Sequence, residues 1–230
     1  MSEWWSYALS DFLLFSPRVY RRMFELHNGA VWPIQVLTLA TGLAMVMLVL
    51  WRPRGHGRLI ALFLAITWAF VAWSFFSLRY TTINWAAAYV APLFALEAML
   101  LLVTGVLFGR LTFDWRGVPG LLGLLLVAFA LVGQPSLAPL MGRPWASAEI
   151  FGIAPDPTAI ATLGLLLLAR GKPVGLLSPI PVFWCVMTGA TLWAMEAPEA
   201  WISPAAALLA AAGGIWSGKA RGGQGEASQR

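Results

Sequence analysis

The chain has 230 residues, 60% hydrophobic and 11% charged, with a mean hydropathy of +0.76 and a formal net charge of +5. Soluble domains average about 25% charged residues, so the composition excludes an ordinary soluble domain and places the chain in the membrane class. The basic excess does not indicate nucleic acid, because the 15 Lys and Arg lie between apolar runs and form no stripe.

The opening, MSEWWSYALSDFLLFSPR, lacks a basic n-region and a small-residue cleavage site, so it is not read as a removed signal peptide. Ser16-Pro17 has the form of an N-cap followed by proline at the first helical position. Val19, Tyr20, Met23, Phe24 and Leu26 then share one side, and Arg18, Arg21, Arg22 and Glu25 the other. That helix is expected to lie on a bilayer surface or to pack as a lid on the spans.

Apolar runs follow at 32–51, 59–78, 86–108, about 118–132, 156–169, about 176–195 and 201–216. About 20 residues cover a bilayer core. The expected fold is therefore an all-α membrane protein, a bundle of about seven transmembrane helices with an N-terminal amphipathic interfacial helix. The chain divides into an N-terminal segment 1–31, the bundle 32–216 and a disordered cytoplasmic tail 217–230. The connection 134–154 is the longest, and Asp156 is placed to cap the fifth span with Pro157 at its first position.

Ten of the 15 basic residues fall after spans one, three and five and in the tail, against five on the other side. The positive-inside rule puts the C-terminus in the cytoplasm and, with seven spans, the N-terminus outside. Seven of the ten acidic residues (Glu3, Asp11, Glu25, Glu149, Asp156, Glu196 and Glu199) fall on the outer side. They are either solvated loop residues or the lining of a vestibule that concentrates cations.

Glu97 lies instead near the middle of AAAYVAPLFALEAMLLLVTGVLF at 86–108. Eleven residues of helix put it roughly 16 Å deep at ~1.5 Å per residue. An ionisable group at that depth is a functional-site hypothesis by default. Its neighbours at three and four positions are Leu93, Phe94, Leu100 and Leu101, and no span interior holds Lys, Arg or His. Glu97 is expected to hold a proton, a mobile cation or a substrate, or to act as hydrogen-bonded glue between helices. Thr41, Thr67, Trp68, Cys185 and Thr188 count to a similar depth and are its candidate partners.

A second candidate group is Arg143, Trp145, Glu149, Asp156 and Thr158, on the outer loop and the head of span five. If the loop folds back over the bundle, the first amides of that helix could face an anion. Gly105-x3-Gly109 and Ala206-x3-Ala210-x3-Gly214 are spaced for close helix packing.

Several chemistries are set aside. His27 and His56 lie on opposite sides and cannot share a metal or haem, so both are expected to be interfacial. Cys185 is alone, which leaves no disulfide or zinc pattern. Span seven has no lysine for a retinal Schiff base, and no HExxH, GxSxG or Walker motif is present. No catalytic residue, metal or cofactor is expected. The expected partners are the lipid bilayer, a small molecule or ion, and a second copy or a membrane partner protein, with no nucleic acid.

At 15–35 (FSPRVYRRMFELHN and, three residues on, WPIQ) and at 142–168 (GRPWASAEIFGIAPDPTAIATLGLLLL) the chain resembles an uncharacterised bacterial family of multi-pass membrane proteins, a domain of unknown function. The resemblance implies a bacterial inner-membrane setting and assigns no activity. Two functions are expected to compete. One is a small-solute or ion permease or channel using Glu97. The other is a non-transporting accessory, sensory or assembly component that binds a partner protein or lipid.

Overall fold

The computed structural model describes residues 15–227, and most of them are helical. Helix α1 spans Pro17–Ala30 and α2 Ile34–Trp51. Helix α3, His56–Phe70, runs on through a π-helical stretch, Val71–Ser77, and α4, Ala87–Leu101, through another, Leu102–Leu107. Helix α5, Gly117–Ala128, continues through Phe129–Gly133 into α6, Gln134–Leu140. Then come α7, Pro155–Leu168, the short α8, Val174–Leu177, α9, Pro179–Ala194, and α10, Ile202–Ala227.

Five of these stretches are long and apolar enough to cross a membrane: Ile34–Trp51, His56–Thr82, Ala87–Leu107, Gly117–Leu140 and Val174–Ala194. Helix α7 is apolar but shorter. Helix α10 carries helical backbone into the stretch 217–230 that the sequence marks as a tail. Residues 1–14, with Glu3 and Asp11, and the end of that tail lie outside the described residues.

The fourth apolar run reaches Leu140, so the connection that follows is 141–154 and not 134–154. The π turn explains this. It starts a new helical segment at Gln134, and Pro135 then falls in a first turn, where its missing N–H costs nothing. Pro92 likewise sits inside α4 without ending it.

Helix α7 is the centre of the bundle. Every residue of it except Leu167 is buried, and α3, α5, α9 and α10 pack around it. Its closest neighbour is α5, through Gly123 and Gly164. A Cβ on Gly123 would stand 2.5 Å from the Gly164 carbonyl oxygen, and one on Gly164 2.7 Å from that of Gly123. Helices approach this closely only where side chains are absent.

The start of α7 is buried too. Phe151, Ile153 and Ala154 before it are at most 1% exposed, so the connection turns inward before the helix begins. Pro155 and Pro157 remove two of the amides a helix start leaves unpaired. Thr158 supplies a local lock: its hydroxyl accepts from Gly152 N at 2.9 Å and donates to Ala154 O at 2.7 Å. Gly152 holds a φ of +74°, and a Cβ there would meet Thr38 and Thr67 at 3.0 Å. Only glycine suits that turn.

Two ends of the bundle are distinct. On one, a two-residue antiparallel ladder pairs Thr112 with Arg170 and Phe113 with Ala169, a small strand element in a fold expected to be all helix. Beside it Asp114 binds both Arg52 and Arg170, the latter at 3.0 Å. Slight burial pushes the Asp114 carboxyl up, but the Arg116 amide and the two arginines outweigh it and hold it below the usual range. The connections after α2, α4 and α7 therefore meet on one basic face.

On the opposite end α1 docks on 141–154. Asn28 Nδ2 donates to Ala146 O and Ala148 O, both at 2.8 Å, and Gln35 Nε2 donates to Asn28 O at 2.7 Å. Ser16 accepts from Val19 N at 3.3 Å as the N-cap. Tyr20, Met23 and Phe24 face inward, while Val19 and Leu26 remain exposed. His27 is also buried, at 1% exposed, edge-on to Phe75. The docking of α1 carries the ring into the protein.

Candidate functional site

Three carboxylates from three separate chain segments converge where 141–154, the head of α7 and the α9–α10 connection meet. Asp156 is in the first turn of α7, and its side chain does not cap the helix as the sequence suggests. With prolines on either side and Thr158 serving the local amide, the carboxylate turns to α9 and α10. Asp156 Oδ1 accepts from Trp184 Nε1 at 2.6 Å and from Thr188 Oγ1 at 2.8 Å, and Oδ2 accepts from Ser203 Oγ at 3.1 Å. Three donors on one 1%-exposed carboxylate bind α7, α9 and α10 to one another.

Glu199 lies in the turn Pro198–Trp201 just before α10 and pairs with Arg143 Nη2 at 3.0 Å. Both side chains are largely buried, at 17% and 10% exposed. Glu149 is half-buried as a residue with its carboxylate enclosed, and it accepts from Gln134 Nε2 at 3.3 Å. Burial first, then the Asp156 charge, push the Glu149 carboxyl up to about 8, against the lowering effect of Gln134 and Arg143. The cluster thus holds three acids and one arginine.

Two small cavities flank the Arg143–Glu199 pair, each of about 10 Å³, room for about one water molecule. The inner one is lined by Gln134, Glu149, Asp156 and Ser203, and the outer one by Tyr20, Arg21 and Phe24 of α1. Arg143, Ser147, Glu149, Leu192 and Glu199 line both. Gln134 Oε1, Glu199 Oε2 and Arg143 Nε are buried there without a hydrogen-bond partner among the described residues. No group of three or more His, Cys, Asp or Glu among the described residues is placed to hold a metal ion.

Glu97 stands apart from this cluster. It is 0% exposed, and neither Oε1 nor Oε2 has a hydrogen-bond partner among the described residues. The residues counted level with it bond elsewhere. Thr41 donates to Leu37 O at 2.8 Å and Thr67 to Leu64 O at 2.9 Å. Trp68 Nε1 donates to Thr162 Oγ1 at 2.8 Å, and Thr188 serves Asp156. Cys185 is buried and unpaired with another cysteine.

An aromatic layer links the two places. Trp184, bonded to Asp156, meets Phe94 edge-on at 5.4 Å between ring centres, and Phe94 packs on Trp68 at 4.4 Å. Phe94 is three residues, about one helical turn, before Glu97.

Of the outer-loop group, Arg143, Glu149 and Asp156 come together, whereas Thr158 is held in its local lock and Trp145 is 64% exposed, and neither lines a cavity of the cluster. Gln134, Trp184, Glu199 and Ser203 complete the cluster without having been singled out as site residues by the sequence. The signal available for Gln134 was an amide side chain after a long apolar run. For Glu199 it was an acid in a Pro-bounded turn on the same side as Arg143.

No curated protein and no solved structure matches the chain. Residues 18–218 match a family model described as a family of unknown function, DUF6064, and the chain belongs to that family.

Proposed function

We propose that this chain is a proton-coupled permease or channel for a small solute or ion in the bacterial inner membrane. It crosses seven times, with α7 and α10 as the two further crossings, α1 at the outer interface, the N-terminus outside and the C-terminus in the cytoplasm. The observation that carries the reading is Glu97, a carboxyl fully inside the bundle with both oxygens unpartnered among the described residues. Such a group serves as a proton or cation station, because no fixed side chain among the described residues answers its charge. The outer cluster is the second station, with Asp156 linked to Trp184 and Phe94 on the way inward.

Flux into vesicles along a pH gradient tests this, comparing wild type with Glu97→Gln. Loss of proton-coupled flux in the variant supports the reading. Equal flux in both removes Glu97 as the carrier.

A second reading is a non-transporting accessory or sensory component that binds a membrane partner or lipid. The observation favouring it is that Glu97 lines neither polar cavity and is closely packed. Absence of flux in wild type would leave this reading.

A further inference from the structure

A larger cavity than the two at the acid cluster lies far from them, toward the basic end of the bundle. It measures about 300 Å³ and is lined by α7 (Leu163, Leu166, Leu167), by Val182 of α9, and by Ala211 and Gly214 of α10, among others. That volume is at the lower end of small-molecule sites, about 300–1,000 Å³.

Its origin is a splay of two antiparallel helices. Toward the acid cluster α9 and α10 touch: a Cβ on Gly189 would stand 2.2 Å from Pro204 Cγ. Val182 lies seven residues before Gly189 and Ala211 seven after Pro204, about two turns in each helix. At that level Val182 and Ala211 both line the cavity, and a Cβ on Gly214, about one turn further along α10, would meet nothing within 4 Å. The one hydroxyl on the lining, Ser178 Oγ, already donates to Val174 O at 2.7 Å. The interior therefore presents apolar surface.

The mouth carries charge. Gly171 and Val174 are both on the lining, and Lys172 stands between them in the chain, exposed and without an acidic partner among the described residues. Neighbouring Arg170 is taken by Asp114. An apolar slot whose lining loop, 171–174, carries an exposed lysine on the basic face matches a ligand with a hydrocarbon tail and an anionic head.

We infer that this groove is a binding site for one anionic phospholipid, with an acyl chain between α9 and α10 and the phosphate on Lys172. The site is independent of the proposed transport role. A lipid held there would wedge the helices at their parted ends, where direct contact is missing.

The test is equilibrium lipid binding to the purified full chain in detergent, followed by native mass spectrometry. Phosphatidylglycerol and phosphatidylcholine of identical chains are compared. Wild type should bind phosphatidylglycerol more tightly, and Lys172→Gln should weaken it about fivefold toward the phosphatidylcholine value, the worth of one lysine near an anionic surface. Gly214→Leu puts a side chain into the open slot without a clash and should weaken both lipids, while unchanged melting without lipid shows that it folds. Equal binding of the two lipids by wild type overturns the proposal. So does undiminished binding by Gly214→Leu, or a wild-type dimer that this variant splits, which would mark the groove as a contact between two copies.

Discussion

Arg143 Nη2 and Glu199 Oε1 meet at 3.0 Å, and this pair is the shared wall of the two small cavities beside it. It ties the 141–154 connection to the head of α10, across the acids that lie deeper. Removing one partner of a largely buried pair leaves the other charge uncompensated. Arg143→Met should therefore destabilise the protein by about 3 kcal/mol. The double variant Arg143→Met with Glu199→Leu should recover much of that loss in thermal unfolding. A double variant as unstable as the sum of the singles would show that the two residues act separately.

The pH dependence of stability has two opposed sources at this end. The Glu149 carboxyl has an ordinary value of 4.5 and is pushed up to about 8 in the folded chain, mainly by burial. Between those values the folded chain holds a proton that the unfolded chain releases, so stability falls as pH rises through the window. Burial, with Arg79 adding, lowers His27 from 6.5 to about 4 against the backbone hydrogen bond with Ile153. There the unfolded chain binds the extra proton, so stability falls as pH drops from 6.5 toward 4. From 6.5 to about 8 the His27 slope no longer opposes that of Glu149, and Glu149→Gln should make the fall in melting temperature shallower there. An unchanged slope in that variant would place the titration elsewhere.

Asp156 is the acceptor for Trp184, Thr188 and Ser203 together. Asp156→Ala should cost about 3 kcal/mol or more, because each buried donor left without an acceptor costs about 1–3 kcal/mol. Asp156→Asn keeps one carbonyl acceptor and should lose less. Equal unfolding temperatures for the two variants would contradict the hub role of this side chain.

The α5–α7 crossing depends on two glycines. Gly164→Ala places a methyl 2.7 Å from the Gly123 carbonyl oxygen, which is backbone and cannot turn aside. Overpacking of this kind costs about 1–3 kcal/mol. Gly214→Ala, which meets open space, should be neutral or stabilising in the same unfolding measurement.

The helical apolar runs and the isolated acid Glu97 were legible in the sequence, because both are local patterns of hydropathy and charge. The role of Asp156 was not. Its partners are 28, 32 and 47 residues away, and the local Pro-Asp-Pro pattern argued for a cap instead. The end of the fourth apolar run was misplaced because a π turn before Pro135 lets the helix continue, and hydropathy carries no mark of that turn. The centrality of α7 was hidden for a similar reason. Its apolar residues look like those of its neighbours, and only the close approach at Gly123 and Gly164 shows that it is surrounded. The burial of His27 likewise follows from where α1 docks, which its own amphipathic pattern does not specify.

The exchangeable proton on Glu97 is tested most directly by infrared difference spectroscopy of the reconstituted protein across a pH step, wild type against Glu97→Gln. A protonated-carboxyl stretch should respond to the step in wild type and be missing from the variant. A carboxyl band from Glu97 that stays the same on both sides of the step and does not shift in heavy water would contradict it, and would mark the residue as sealed packing.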